Sequence, residues 1–125
     1  MKIREVMKRV VVVEKDLSLR EAGKIMAERG IGSLVLIKND KIAGIATERD
    51  VVENISELGK KISEITRKTI ITIDEDETLE KAGELMAKHK IKRLPVLKKG
   101  KLVGIITATD IIDKVDDLNE EFFFD

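Results

Sequence analysis

Read as apolar and polar positions, the chain sets short branched runs against helical stripes, and it does so twice. Val10 to Val13 is four consecutive β-branched residues, too short for a helix, and predicts a buried strand. The lead before it, Ile3 to Met7, predicts one or two helical turns that place that strand. Ser18 with Glu21 three residues on is a capping box, and Leu19, Ala22, Gly23 and Met26 then recur on one helical face until Gly30 ends the helix. A glycine inside a helix costs about 1 kcal/mol against alanine, so Gly23 points to close backbone packing. Leu34 to Ile37 and Ile42 to Ala46 predict a hairpin around Lys38-Asn39-Asp40-Lys41. A second helix is predicted from Thr47 to about Leu58, with Val51, Val52 and Ile55 on one face, and Gly59-Lys60-Lys61 is the predicted hinge.

The same order then returns. Ile70 to Ile73 predicts the strand, Thr78 the cap, and Leu79, Ala82, Gly83 and Met86 the helix face. Leu94 to Leu97 and Leu102 to Ile106 predict the hairpin around Lys98-Lys99-Gly100-Lys101. Ala22 and Ala82, Met26 and Met86, Gly44 and Gly104, and Asp50 and Asp110 are all sixty positions apart. A register held that long is duplication, so the expected fold class is α+β with α/β-like units: two β-α-β-β-α repeats. Each half is small for a solo folder, so the copies are expected to pack face to face with pseudo-twofold symmetry. Residues 1–59 form the first repeat with its lead, 60–118 the second, and 119–125 a tail.

Each hairpin runs into a hydroxyl and, three residues on, a carboxylate: Gly44-Ile45-Ala46-Thr47-Glu48-Arg49-Asp50 and Gly104-Ile105-Ile106-Thr107-Ala108-Thr109-Asp110. At a strand-to-helix junction the Thr caps the helix and the Asp sits near the positive end of its dipole. Taken singly, such a pair is a cap; its recurrence at one offset has to be explained as well.

Composition narrows the function classes. The 125 residues carry 24 basic and 24 acidic side chains, 2% aromatics and no Cys, so neither a basic footprint nor a stacking platform for nucleic acid is present, and thiol chemistry is excluded. No apolar run approaches the roughly 18 residues of a membrane span, and the first residues do not read as a signal peptide, so the expected location is cytoplasmic. The wealth of Lys and Glu resembles thermophile composition.

With the repeat, the Gly-to-Thr-x-x-Asp run, the Ala-Gly-x-x-Met helix and the Leu94-Pro95-Val96 strand entry in hand, the chain resembles a tandem pair of CBS domains, a Bateman module, over essentially all of residues 1–115. The resemblance implies a regulatory module whose two clefts hold adenosine-containing ligands. Asp50 and Asp110 would each accept both ribose hydroxyls, and Thr47 and Thr107 would face sugar or phosphate oxygens. The favoured cleft, on Thr107, Thr109 and Asp110, would take Val11, Ile31, Gly32 and Ser33 from the first repeat for the base, with Lys92 and Arg93 reaching phosphate. A second cleft, on Thr47, Arg49 and Asp50, would draw Thr66, Ile71, Ile91 and again Lys92 and Arg93 from the second repeat. The first repeat departs from the pattern in having Ser33-Leu34-Val35 without proline or basic residues, which leaves Arg49 as that cleft's phosphate donor.

The leading expectation is therefore a sensor of AMP, ADP, ATP or S-adenosylmethionine that needs no cofactor or metal and signals through a homodimer or an effector protein. The alternative is an interaction module with vestigial clefts, in which the same Thr and Asp persist as caps. An enzyme is disfavoured by the absence of Cys, of a paired His, of a nucleophile elbow and of a Gly-rich phosphate loop. Asp74-Glu75-Asp76-Glu77 reads as a solvated run favoured by the following helix dipole, and the single His89 as a dipole partner at a helix C-terminus. Met26 and Met86 read as core. Phe122-Phe123-Phe124 is either a frayed tail or an apolar plug at a subunit contact.

Overall fold

The computed structural model describes residues 1–66 and 69–115; the Phe122 to Phe124 tail lies outside the described residues. The chain divides into two compact units. The first is Val10–Ile70, and the second is Met1–Arg9 together with the chain from Ile71 on.

The first unit contains β1 (Val12–Val13), α1 (Leu19–Arg29), β2 (Ser33–Lys38), β3 (Lys41–Thr47), α2 (Glu48–Glu53) and α3 (Ile62–Ile65). In the second are a 3-10 turn (Ile3–Glu5), β4 (Ile73–Asp74), α4 (Leu79–His89), β5 (Arg93–Lys98), β6 (Lys101–Thr107) and a helix over 108–115, here α5. Each sheet has three strands, with the middle one parallel to the strand before the crossover helix and antiparallel to its hairpin partner. The expected β-α-β-β-α order thus recurs in an α+β chain.

Local chemistry accounts for the elements. Ser18 Oγ accepts the Glu21 N–H at 3.1 Å while the Glu21 carboxylate accepts the Ser18 N–H at 3.2 Å, and Gly30 closes α1 at φ 63°. Thr78 caps α4, but Lys81 follows where Glu21 stands in α1, so only one half of the box is made. Asn39 and Asp40 (φ 53° and 61°), and Lys99 and Gly100 (φ 50° and 78°), turn the two hairpins with both central residues left-handed, the geometry that matches strand twist. Leu19, Ala22 and Met26 of α1 pack with Leu34, Leu36 and Ala46 of the sheet and with Ile62; Ala82 and Met86 of α4 pack with Leu94, Val96, Ile106 and Ile3.

Ile3 and Ile62 belong to segments that perform one task. Ile62 N–H donates to Leu17 C=O and Leu19 N–H to Lys60 C=O; in the second unit Ile3 N–H donates to Glu77 C=O and Leu79 N–H to Met1 C=O. Each segment seals the end of its sheet and buries one isoleucine completely, worth about 1.5–3 kcal/mol apiece. Each also crosses the hairpin at a glycine: a Cβ on Gly44 would lie 2.8 Å from Thr66 Oγ1, and one on Gly104 2.9 Å from the Lys8 carbonyl oxygen.

Several expectations change. The first strands are Val12–Val13 and Ile73–Asp74 rather than 10–13 and 70–73, because only those residues pair within the ladder. Helix α2 stops at Glu53 instead of near Leu58. Asn54 turns its amide back onto the Asp50 carbonyl at 2.7 Å, and of the three apolar residues on the expected face only Val51 is half-buried while Val52 and Ile55 are exposed. The predicted hinge is tied down: the Lys60 carbonyl accepts the Leu19 N–H, and Lys61 bridges to Ser18. A Cβ on Gly23 would meet Val51 methyls at 3.4 Å, ordinary contact rather than enforced close approach. The acidic run is not uniformly solvated either. Glu75 is buried, its carbonyl accepts the Arg4 N–H, and Asp76 pairs with Arg4.

Candidate functional site

In each unit the open end of the hairpin brings a short loop against the start of a helix. Ser33 pairs with Thr47 across β2 and β3, and Glu48 N–H donates to Gly32 C=O at 3.1 Å. Ile31, Gly32 and Ser33 therefore share one edge with Thr47, Arg49 and Asp50. Arg93 pairs with Thr107 across β5 and β6, and Ala108 N–H donates to Lys92 C=O at 2.8 Å. Ile91, Lys92 and Arg93 share the corresponding edge with Thr107, Thr109 and Asp110.

Within each edge the hydroxyl and carboxylate form a capping box. Asp50 Oδ2 accepts the Thr47 N–H at 2.8 Å and its hydroxyl at 2.9 Å, while Asp50 N–H donates back to Thr47 Oγ1 at 3.2 Å. Asp110 Oδ2 accepts the Thr107 N–H at 3.0 Å and returns its own N–H to Thr107 Oγ1 at 3.1 Å. Only one oxygen of each carboxylate is used in this way. Lys8 Nζ lies 3.0 Å from the other oxygen of Asp110, whose residue is 4% exposed; Asp50 is half-buried and its Oδ1 has no hydrogen bond or ion pair among the described residues. The hydrogen bond to Asp110 and its charge hold the Lys8 ammonium above the ordinary lysine pKa.

Other expected site residues have partners of their own. Arg49 Nε donates to Glu53 Oε1 at 2.7 Å on an exposed turn, an i, i+4 pair. Thr66 Oγ1 accepts the Ile45 N–H at 3.1 Å and donates to Ile62 C=O at 2.7 Å. Val11 packs on the first core, and its carbonyl accepts the Val35 N–H at 3.0 Å; Ile71 and Ile91 pack on the second core. Val11, Ile31, Gly32 and Ser33 belong to one unit, and Lys92, Arg93, Thr107, Thr109 and Asp110 to the other. Lys8 is the residue that sequence reasoning missed. A lysine in a polar lead gives no local signal, and its partner lies on the far side of the duplication.

The CBS domain family model matches residues 3–57 and 62–117. The chain therefore belongs to the CBS domain family and carries two such domains. An uncharacterized protein of Methanocaldococcus jannaschii is 38% identical over 106 residues, 84% of this chain and 36% of that protein. Inosine-5'-monophosphate dehydrogenase of Korarchaeum cryptofilum is 39% identical over 105 residues, 82% of this chain and 21% of the dehydrogenase. The chain thus spans well under half of these relatives, and its likeness to the dehydrogenase is confined to about a fifth of that enzyme. Among solved structures, the CBS domain pair of protein MJ0100 in complex with 5'-methylthioadenosine and S-adenosyl-L-methionine aligns at TM-score 0.85 and 27% identity, covering 94% of this chain and 98% of that one. No helix among the described residues is long and apolar enough to cross a membrane.

Proposed function

We propose that this CBS domain pair is a regulatory module that senses an adenosine-containing ligand, AMP, ADP, ATP or S-adenosylmethionine, with Asp110 as the principal ribose acceptor and Asp50 as the second. One observation carries the reading: a nearly inaccessible carboxylate at Thr107-x-x-Asp110 spends one oxygen on the cap and turns the other toward a cation, beside Lys92 and Arg93. Such a carboxylate keeps lone pairs for vicinal hydroxyls, and the nearby cations suit phosphate. The 5'-methylthioadenosine and S-adenosyl-L-methionine in complex with the MJ0100 domain pair support the adenosyl class. Signalling through a homodimer is supported by apolar side chains left exposed at matching positions of the two repeats, Val52 and Ile55 with Ile112 and Val115.

A second reading, an interaction module that holds no ligand, is favoured by the completeness of both capping boxes, since capping alone explains the Thr-x-x-Asp pairs. Melting curves against a panel of adenine nucleotides and S-adenosylmethionine separate the two. Ligand at a hundredfold excess over Kd stabilises a binding-competent fold by about 2.7 kcal/mol. Asp110→Ala is expected to abolish that shift and Asp50→Ala to weaken it less. A flat panel for the wild type supports the interaction module, and equal losses from both variants contradict the ranking of the two carboxylates.

A further inference from the structure

Lys8 is held by its main chain, and its exposed side chain is paired at the tip with Asp110. Its N–H donates to the Ile105 carbonyl at 2.9 Å and its carbonyl accepts the Ile105 N–H at 3.0 Å, so the backbone position is fixed whatever the side chain. Its side chain is 70% exposed, whereas that of Asp110 is 3% exposed, so the ammonium meets the carboxylate from the solvent side. Asp113 adds a second negative charge toward it. Arg93 enters the same edge as the strand partner of Thr107, and the carbonyl of Lys92, just ahead of β5, accepts the Ala108 N–H there.

We propose that Lys8 selects among adenosine-containing ligands at Asp110, favouring those that carry phosphate over those with a neutral or cationic 5'-substituent. The inference rests on the ligand-sensing reading above and goes beyond it by naming the chemical class. A ribose that engages Asp110 must share the carboxylate with an ammonium already 3.0 Å away. If the ligand carries phosphate, the four-carbon stem lets that ammonium move to the new anion, and the lost ion pair is replaced by another charge-assisted contact. A 5'-methylthio group offers no such replacement, and a sulfonium adds repulsion from three cations on one edge. The raised pKa of Lys8 keeps it charged through the neutral range, so the preference does not depend on a titration near pH 7.

Calorimetric titration of the full chain with AMP and with 5'-methylthioadenosine, for wild type, Lys8→Met and Lys8→Arg, tests this. Methionine keeps the aliphatic stem and the main-chain bridge to Ile105 while removing the charge. Lys8→Met is expected to weaken AMP about tenfold, the equivalent of about 1.4 kcal/mol, and to tighten 5'-methylthioadenosine severalfold; Lys8→Arg stays close to wild type. As a check that needs no variant, raising salt on the wild type weakens AMP and leaves 5'-methylthioadenosine unchanged or tighter. Equal changes for both ligands in Lys8→Met, or equal salt dependence, overturn the inference and leave the sensing reading standing. Failure of every adenosine compound to bind the wild type overturns both.

Discussion

In the second unit the amide and carbonyl of Ile105 are paired by the main chain of Lys8, whereas in the first unit the amide of the equivalent Ile45 is paired by the hydroxyl of Thr66. Both arrangements pair an amide on the outer edge of a sheet that the strand ladder itself leaves without a partner. They differ in what they leave over. A main-chain bridge is indifferent to the residue that makes it, so position 8 can carry a side chain with another task. Thr66 has used its hydroxyl on Ile45 and Ile62. The middle strands differ similarly: Val35 N–H reaches the Val11 carbonyl at 3.0 Å, while Pro95 in the same place of β5 has no N–H to give. Among the described residues, equivalent strand amides of the two copies are thus met by different partners, a main-chain carbonyl at Ile105 and a side-chain hydroxyl at Ile45.

Removing the sealing isoleucines is the harshest test of the equivalence. Ile3→Ala and Ile62→Ala are each expected to cost about 2–5 kcal/mol in urea unfolding, since both are fully buried. A loss below about 1 kcal/mol for Ile3→Ala alone would mean that the lead is not part of its core. Next come the crossing glycines. Gly104→Ala is expected to cost about 1–3 kcal/mol and more than Gly44→Ala. Its Cβ meets a carbonyl oxygen at 2.9 Å as well as Met7 Sδ at 2.8 Å, while that of Gly44 meets side-chain atoms of Thr66 and Ile62. Thr66→Val should cost about 1–2 kcal/mol and speed hydrogen exchange at the Ile45 amide without touching that of Ile105.

Smaller effects separate the long helices. Gly83→Ala should stabilise by up to about 1 kcal/mol, because nothing among the described residues lies within 4 Å of the added Cβ; Gly23→Ala should gain less, with Val51 at 3.4 Å. The mildest concerns acid. Bonds from the Ser18 N–H and hydroxyl hold the Glu21 carboxyl below its usual pKa. A depressed folded value contributes stability above the unfolded pKa that is lost as pH falls through the folded one. Ser18→Ala, which removes the hydroxyl but keeps the main-chain N–H, should reduce without abolishing the pH dependence of melting below the ordinary glutamate value of 4.5. Thr78→Ala should not, because Lys81 takes the place of a carboxylate there.

The hairpins, the long helices, the capping box at Ser18 and the duplication are legible in the sequence because each rests on near neighbours or a fixed offset: alternation, a 3.6-residue stripe, turn residues, a repeat. What escapes depends on partners far along the chain. Helix α3 is four residues long, with too few positions to show a stripe, and Ile62 is buried only because Leu17 and the first core receive it. Glu75 looks like one of four surface acids until Arg4 docks on its carbonyl. The end of α2 is hidden because Val52 and Ile55 are apolar yet face outward. At the candidate site, Thr47, Asp50, Thr107 and Asp110 announce themselves by motif; Lys8 does not, since its pairing with Asp110 spans nearly the whole chain.

That span has a consequence for biosynthesis. Residues 1–9 are translated well before their hydrogen-bonding partners at Glu75, Glu77 and Ile105. The unit Val10–Ile70 can close while synthesis continues, but Ile3 stays uncovered until β6 has emerged. During that interval Ile3 is an apolar side chain whose core partners from Ile73 to Ile106 have yet to be made, so the nascent chain carries it uncovered through most of the synthesis of its own unit.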